Sequence, residues 1–341
     1  MLCRYLYKPR GECFVYVVCV VMRRRNCLKG VINHCYQRPK PPGVIFYSIS
    51  DFLLFFTIFC VTAPKYKVRV VKLVLMMDHI HHSTIEDRKG DLSKFVGEYS
   101  ALFAREHNVT CHRKGDYFEH PFKSAPKNGE KKARTNLIYL NNNPVERRMV
   151  KQAEDYRWNF MAYAQSTHPF SEKIVLSKAS QALRRALKRV QEQHKAGKHL
   201  PYAMLQQLFR SIPSDKEKQQ LIDYIVSTYN ILRYDIVLQL FDSFEDELLA
   251  THSNTGSEYD IVDSFIGKTD TWYSQMTATL LQEKGYHDIH EMLACTKEEK
   301  WELFQLLRRK TSAPGRQIAH YLRIPLKKVS SQDAWDYADG G

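Results

Sequence analysis

The chain has 341 residues and a mass of 40.0 kDa, which is long enough for two or three domains and a sizeable core. Its 44% hydrophobic and 26% charged residues are ordinary for a soluble globular protein, and we predict no membrane partner. The formal net charge of +14 and the pI of about 9.3 are not ordinary. Because lysines and arginines that neutralise phosphates release condensed counterions, this surplus favours a nucleic-acid partner over a merely basic soluble surface.

Six of the eight cysteines fall before residue 61, and these six contain no Cys-x-x-Cys pair. The spacing argues against a zinc ribbon, and the clustering indicates small buried residues in a reducing, cytoplasmic compartment. Residues 1–29 include the apolar run Cys13 to Met22, which is too short to span a bilayer and is followed by arginines. We interpret residues 1–29 as an N-terminal extension and assign it no role.

The first half of the chain alternates between predicted strands and helices, indicated by apolar β-branched runs and by apolar stripes at helical spacing. In chain order we predict a strand over Gly30 to Arg38, an extended segment over Val44 to Tyr47, a helix over Phe52 to Cys60 capped by Ser50 or Asp51, a strand over Val68 to Met77, a helix over Leu92 to Glu106, an extended segment over Tyr117 to Phe122, a loop over Lys123 to Lys132, and a helix from about Lys131 to Asn143. This order suggests an α+β sandwich, an antiparallel sheet with helices on one face.

Two histidines stand at the end of the strand that runs to Met77. Side chains alternate faces along a strand, so His79 and His81 point to one side while Ile80 and His82 point to the other. Two adjacent imidazoles form half of a divalent-metal site. A histidine pair by itself is more often surface or core filler, and a second segment is what favours a site here.

That second segment is the helix that ends before Pro144, because the residue before a proline is disfavoured in the α region. Tyr139 and Asn143 lie four residues apart on it and therefore share one helix face. A phenol and an amide oxygen would then be presented together to a metal held by His79 and His81.

Three motifs together resemble the single-tyrosine HUH transposases, in the branch of the REP-associated tyrosine transposases. They are His-Ile-His at 79–81 after a strand, Tyr-Leu-Asn-Asn-Asn-Pro-Val at 139–145 on a helix, and Tyr-Arg-Trp-Asn at 156–159. The resemblance covers roughly Gly30 to Tyr163. It departs from the family pattern at Met76-Met77-Asp78, where Met-Pro-Asn is usual, and at His82, where an apolar residue is usual. Neither departure removes a ligand.

The resemblance implies a catalytic domain over 30–165 with a ferredoxin-like (RRM-like) core. It implies that Tyr139 is the nucleophile and that His79, His81 and Asn143 bind Mg²⁺ or Mn²⁺. The expected activity is metal-dependent nicking and strand transfer through a 5′-phosphotyrosine intermediate. No nucleotide cofactor is implied, and the chain has no Gly-x-x-x-x-Gly-Lys loop.

The substrate that the resemblance implies is single-stranded DNA carrying a hairpin. Basic side chains near the motifs are candidate contacts to its backbone. These are Lys123, Lys127, Lys131, Lys132 and Arg134. Whether the protein acts as a monomer or as a homodimer is left open.

Beyond Tyr163 the composition changes, and residues 164–171 indicate a linker. We predict a helical domain over 175–295, because helical apolar stripes recur and no strand-like alternation is present. The predicted helices include an apolar stripe over 179–190 and the segments Leu205–Phe209, Lys216–Asn230, Asp235–Leu249 and Trp272–Glu283.

Residues 296–332 resemble a helix-turn-helix. A helix is predicted over Glu299 to Arg309, and Thr311 to Pro314 starts another. The resemblance lies at Gln317 to Pro325, after which Lys327 and Lys328 would lie on the helix that faces the DNA groove. Arg323 stands where this motif usually has a turn glycine, and a plain helical hairpin is an equally good interpretation.

A competing hypothesis is a DNA-binding regulator derived from a transposase, without transposition activity. The presence of all four proposed site residues argues against it, because a retired site has no reason to keep them. A replication initiator would share the chemistry but usually has two tyrosines or a helicase domain.

Overall fold

The fold is described from a computed structural model over residues 27–40, 42–111, 114–253 and 269–324. The predicted extension over residues 1–29 lies almost entirely outside these ranges. So do Lys327, Lys328 and the second helix of the predicted helix-turn-helix.

The sheet is antiparallel and has four strands in the order β2-β3-β1-β4. Its strands are β1 (Ile32–Gln37), β2 (Val68–Met76), β3 (His79–Glu86) and β4 (Lys123–Lys127). The chain is therefore a mixed α+β protein, as the sequence predicts, and the strands expected near Gly30–Arg38 and Val68–Met77 are confirmed.

The histidine pair was predicted to lie at the end of β2. In the structure it opens a strand of its own. Residues 77 and 78 form a two-residue turn, and β3 returns antiparallel to β2, with His79 opposite Met76. All eight residues of β3 are buried, because it lies between β2 and β1. The turn carries no glycine or Asn-Gly signature, so no local pattern indicates the hairpin.

Strand β4 occupies part of the segment predicted to be a loop, Lys123 to Lys132. It pairs with β1 and forms an edge of the sheet. An edge strand tolerates Pro126, because its outer side has no neighbouring strand to which a backbone N–H would donate. The extended segment predicted over Tyr117 to Phe122 contributes one isolated bridge, between Phe118 and Pro39, and no strand.

Helices cover both faces of the sheet, which corrects the prediction of helices on one face. Helices α1 (Ile49–Thr62) and α2 (Asp91–Thr110) pack together against one face. Helix α3 (Glu130–Glu146) packs on the other, where Leu137 shares a cluster with Val71 of β2. Strand β2 accounts for part of this arrangement, since Leu73 and Leu75 belong to the cluster of α1 and α2 while Val71 belongs to that of α3.

Helix α1 begins earlier than predicted, after Ser48 instead of Ser50 or Asp51. Ser48 and Asp51 form a reciprocal capping box, in which the Asp51 carboxylate accepts from the backbone N–H of Ser48. The window Ile49–Tyr66 is apolar enough to cross a membrane by composition alone, but 67% of it is buried inside the protein. Its composition therefore fits a helix at the centre of the core.

Helix α3 runs past Asn143, where it was predicted to end, and includes Pro144. A proline loses one backbone hydrogen bond, and here the helix ends only two residues later, at Glu146. The N–H of Arg147 still donates to the carbonyl oxygen of Asn143 at 3.2 Å. Asn143 is thus held inside the helix instead of at its frayed end.

The remaining described chain is helical, as predicted, with short 3-10 turns between residues 153 and 164. Its helices are α4 (Gln181–Lys195), α5 (Tyr202–Ser211), α6 (Asp215–Tyr229), α7 (Tyr234–Leu240), α8 (Phe244–Ser253), α9 (Thr269–Lys284), α10 (Glu291–Ala294), α11 (Lys297–Lys310) and α12 (Gly315–Leu322). The single helix predicted over Asp235–Leu249 is two helices, because Phe241 is extended and Ser243 caps α8.

The C-terminal helices share the main core with the sheet. Helices α5 and α6 pack on α1, and the backbone N–H of Leu200 donates to Thr57 Oγ1 of α1 at 3.2 Å. The division into domains at 165, 175 and 296 stays a prediction.

Helices α11 and α12 correspond to the first part of the predicted helix-turn-helix. Arg323 follows α12 in the left-handed conformation, with φ 55°, at the position where the motif usually has glycine. Its guanidinium donates to Val44 O and to Tyr117 Oη, both at 2.8 Å. The side chain therefore ties the end of α12 to the segment between β1 and α1.

Gly43→Ala is expected to lower the free energy of unfolding by about 1–3 kcal/mol, because a Cβ atom there would lie 2.7 Å from the carbonyl oxygen of His320 in α12. Gly97→Ala in α2 is the matched control. Its Cβ would meet no heavy atom within 4 Å, so helix propensity should raise stability by about 0.5–1 kcal/mol. Chemical denaturation measures both, and equal stability of the two variants would contradict the close approach of α12.

Candidate functional site

The start of β3 places His79 and His81 on the face of the sheet that α3 covers. Both side chains are fully buried, and their ring centroids lie 4.8 Å apart. His82 points to the opposite face, where its Nε2 lies 3.1 Å from the hydroxyl of Tyr99 in α2. Strand alternation separates the three histidines in this way.

Helix α3 brings Tyr139 and Asn143 to the same histidines. The Asn143 amide oxygen lies 3.3 Å from His79 Nε2, and the amide nitrogen lies 3.3 Å from His81 Nε2. The ring of Tyr139 packs edge-on to His81 with the centroids 5.9 Å apart. The structure therefore brings together all four residues that the sequence analysis selected.

The three proposed ligands fit a divalent cation. Adjacent ligands of an octahedral Mg²⁺ or Mn²⁺ ion lie about 3 Å apart, close to the 3.3 Å between the Asn143 amide oxygen and His79 Nε2. A histidine binds a metal in its neutral form. Burial, reinforced by His79 and His34, holds the pKa of His81 well below its ordinary value, so that imidazole is neutral at pH 7.

A third histidine, His34 of β1, positions His81. Its Nε2 lies 2.9 Å from His81 Nδ1. When His34 accepts this hydrogen bond, the proton of His81 stays on Nδ1 and leaves Nε2 available to a metal.

Asp78 positions His79 in the same way. Its Oδ1 lies 2.5 Å from His79 Nδ1, and Arg147 lies 3.5 Å from the same oxygen. Burial works to raise the pKa of Asp78, but His79 and Arg147 outweigh it and lower the pKa well below its usual range. The carboxylate therefore stays ionised and fixes the orientation of the His79 ring.

Cationic side chains gather around the same face through Tyr36 of β1. The Tyr36 ring lies 4.9 Å from the His81 ring, and Arg38 and Lys123 lie 5.3 and 5.4 Å from its centroid. Together with Arg147 they add positive charge next to the imidazoles, which suits a phosphate group.

The residues predicted to contact DNA differ in their exposure and in the contacts that they already make. Lys123 lies at this site and is exposed, and Lys131 and Lys132 are exposed in the first turn of α3. Lys127 is buried in β4. Arg134 donates to Leu240 O at 2.6 Å and lies 3.4 Å from Asp246, so its guanidinium already ties α3 to α7 and α8.

Sequence reasoning missed His34, Tyr36, Asp78 and Arg147. Alternation along the first strand does put His34 and Tyr36 on one face, but their pairing with β3 cannot be read from the sequence. Asp78 was noted only as a departure from a family pattern, although a carboxylate next to a ligand histidine was a usable signal.

No protein-family model matches the chain, and no curated protein matches it in sequence. Among solved structures, the chain is similar to a REP-associated tyrosine transposase bound to a REP hairpin, at 18% sequence identity and a TM-score of 0.37. The alignment covers 46% of this chain and 93% of that chain. A likeness at this level assigns neither a family nor an activity, and the geometry of the site is what supports a function.

Proposed function

We propose that this protein is a transposase that cleaves and rejoins single-stranded DNA at hairpins, with Tyr139 as the nucleophile. The observation that supports it is that the Asn143 amide lies 3.3 Å from Nε2 of both His79 and His81, beside the ring of Tyr139. Two imidazoles, an amide and a phenol on one face form a coherent set for phosphodiester chemistry.

In the proposed reaction the Tyr139 oxygen attacks the phosphorus atom of the scissile phosphate and its proton passes to solvent. The bond from phosphorus to the 3′-oxygen breaks and that oxygen takes a proton from solvent, which leaves a 5′-phosphotyrosine and a free 3′-hydroxyl. The energy of the broken bond is kept in the new ester, so the reverse attack by a 3′-hydroxyl rejoins the strand. A bound Mg²⁺ or Mn²⁺ would supply Lewis-acid polarisation of the phosphate.

The other residues of the site have supporting roles in this proposal. His34 and Asp78 hold the two imidazoles with their Nε2 atoms towards Asn143. Arg38 and Lys123 favour the approach of the anionic strand. Tyr139 is 8% exposed, so its side chain is held in place by packing.

The fold supports the same proposal. Its element order is β1-α1-β2-β3-α2-β4, with the strands antiparallel in the order β2-β3-β1-β4. We propose that residues 30–165 form a ferredoxin-like (RRM-like) catalytic domain, and that the C-terminal helices position DNA and perform no chemistry.

The test uses the full chain and a pool of single-stranded hairpin oligonucleotides with randomised flanks, labelled at the 3′ end. The label belongs there because the covalently held fragment is the one with the 5′-phosphate. With Mn²⁺ we expect a labelled protein–DNA adduct on a denaturing gel, and no adduct with EDTA or with a blunt duplex. Binding of the pool without any adduct would contradict the proposal and support a DNA-binding regulator instead.

A further inference from the structure

A second group of metal-binding side chains lies on the opposite face of the sheet from Tyr139. His107 and Cys111 are four residues apart near the end of α2, so they share one helix face. His290 comes from the other half of the chain, directly before α10. All three are buried, with exposed fractions of 2%, 1% and 4%.

The spacing of these side chains matches a tetrahedral zinc ion. Cys111 Sγ lies 3.7 Å from His107 Nδ1, and the nearest ligand atoms of the three residues all lie within 4.8 Å of one another. For Zn–S of about 2.3 Å and Zn–N of about 2.1 Å, a tetrahedral site separates sulfur and nitrogen by about 3.6 Å. A thiolate with two imidazoles is also the donor set that selects zinc over Mg²⁺ or Mn²⁺.

Asp51 lies beside His290, and its two carboxylate oxygens each lie 3.0 Å from His290 Nε2. Asp51 is also buried, with 1% exposed. On the other side of the ring, His290 Nδ1 lies 2.5 Å from Asp288. A histidine that binds zinc through one nitrogen commonly donates its other N–H to a carboxylate, as Nδ1 would here.

We propose that His107, Cys111 and His290 bind a structural zinc ion that joins the sheet to the C-terminal helices. Its three ligands are buried side chains from α2 and from the residue before α10, so the ion would hold these two elements together. It is separate from the Tyr139 site in residues, donor atoms and preferred metal, and it does not depend on the proposed DNA cleavage.

The alternative is a proton in place of the metal. Burial works to lower the pKa of His290, but Asp51 and Asp288 outweigh it and raise the pKa to about 10. The same buried carboxylates attract either cation. In the alternative, Cys111 and His107 share only a weak thiol–imidazole hydrogen bond and His290 carries both protons.

Metal content of the full-length His81→Ala variant distinguishes the two cases, because that substitution disables the Tyr139 site alone. We expect one zinc per chain after dialysis against EDTA. Replacement of the zinc by Co²⁺ should give a thiolate-to-cobalt charge-transfer band. Folded protein that holds no zinc after expression in zinc-supplemented medium, and gives no such band, would overturn the proposal.

Cys111→Ser is expected to lose the charge-transfer band and most of the zinc. Cys60→Ser is the matched control, since Cys60 is equally buried in α1 and lies outside the cluster. Loss of the band in both variants, or in neither, would contradict the assignment of Cys111. If Cys111→Ser does not fold, the metal content and band of the parent protein still decide between zinc and a proton.

Discussion

Tyr139→Phe is expected to abolish the covalent protein–DNA adduct and to reduce strand cleavage by about 10⁴-fold or more. Phenylalanine keeps the ring that packs edge-on to His81 and removes only the hydroxyl that would attack phosphorus. Metal affinity and DNA affinity should therefore stay unchanged. A denaturing gel with 3′-labelled hairpin DNA measures the adduct, and calorimetry measures the metal.

The matched control for this variant is Tyr156→Phe. The Tyr156 hydroxyl donates to Leu75 O at 2.8 Å and so supports β2 instead of facing the imidazoles. Its loss should cost about 1 kcal/mol of stability and leave the adduct intact. An adduct that persists in Tyr139→Phe would show that another side chain is the nucleophile, and mass spectrometry of the adduct peptide would locate it.

His81→Ala is expected to lower Mn²⁺ affinity by about 100-fold or more and to abolish metal-dependent cleavage. Loss of a side chain that only positions a ligand costs about 10–100-fold, and His81 is proposed as a ligand itself. The variant also leaves His34 without the ring nitrogen that it contacts at 2.9 Å. Calorimetric titration with Mn²⁺ measures the affinity directly.

His82→Ala provides the comparison, because His82 follows His81 in sequence and lies on the other face of β3, against Tyr99. A cavity there should cost about 2–4 kcal/mol of stability. The folded protein should nevertheless bind Mn²⁺ as the parent does. Equal loss of metal affinity in the two variants would indicate that disruption of β3, and not loss of a ligand, explains the effect of His81→Ala.

The path of the chain through the sheet shows where sequence reasoning failed. The apolar run Val68–Met77 predicted β2 correctly, yet the return strand β3 was missed, although it carries the proposed metal ligands. Five of its eight residues are His, Ser or Thr, and a strand buried on both faces shows no alternation of polar and apolar residues. Burial of such side chains is possible only because hydrogen bonds from neighbouring elements satisfy them, as Tyr99 does for His82.

What the sequence determines by itself is the local geometry of the candidate site. Alternation along a strand puts His79 and His81 on one side, and a spacing of four puts Tyr139 and Asn143 on one helix face. Both relations depend only on the backbone period, so they hold although β3 was not predicted and α3 runs past its predicted end.

The tertiary structure alone decides which residues from elsewhere complete the two sites. The register that sets Tyr36 opposite His81, and thereby brings His34 to the ring of His81, depends on strand pairing over about 45 residues. The meeting of His290 with His107 and Cys111 depends on the docking of α10 near the end of α2. Such contacts are selected by the burial and packing of the whole core, which no local period encodes.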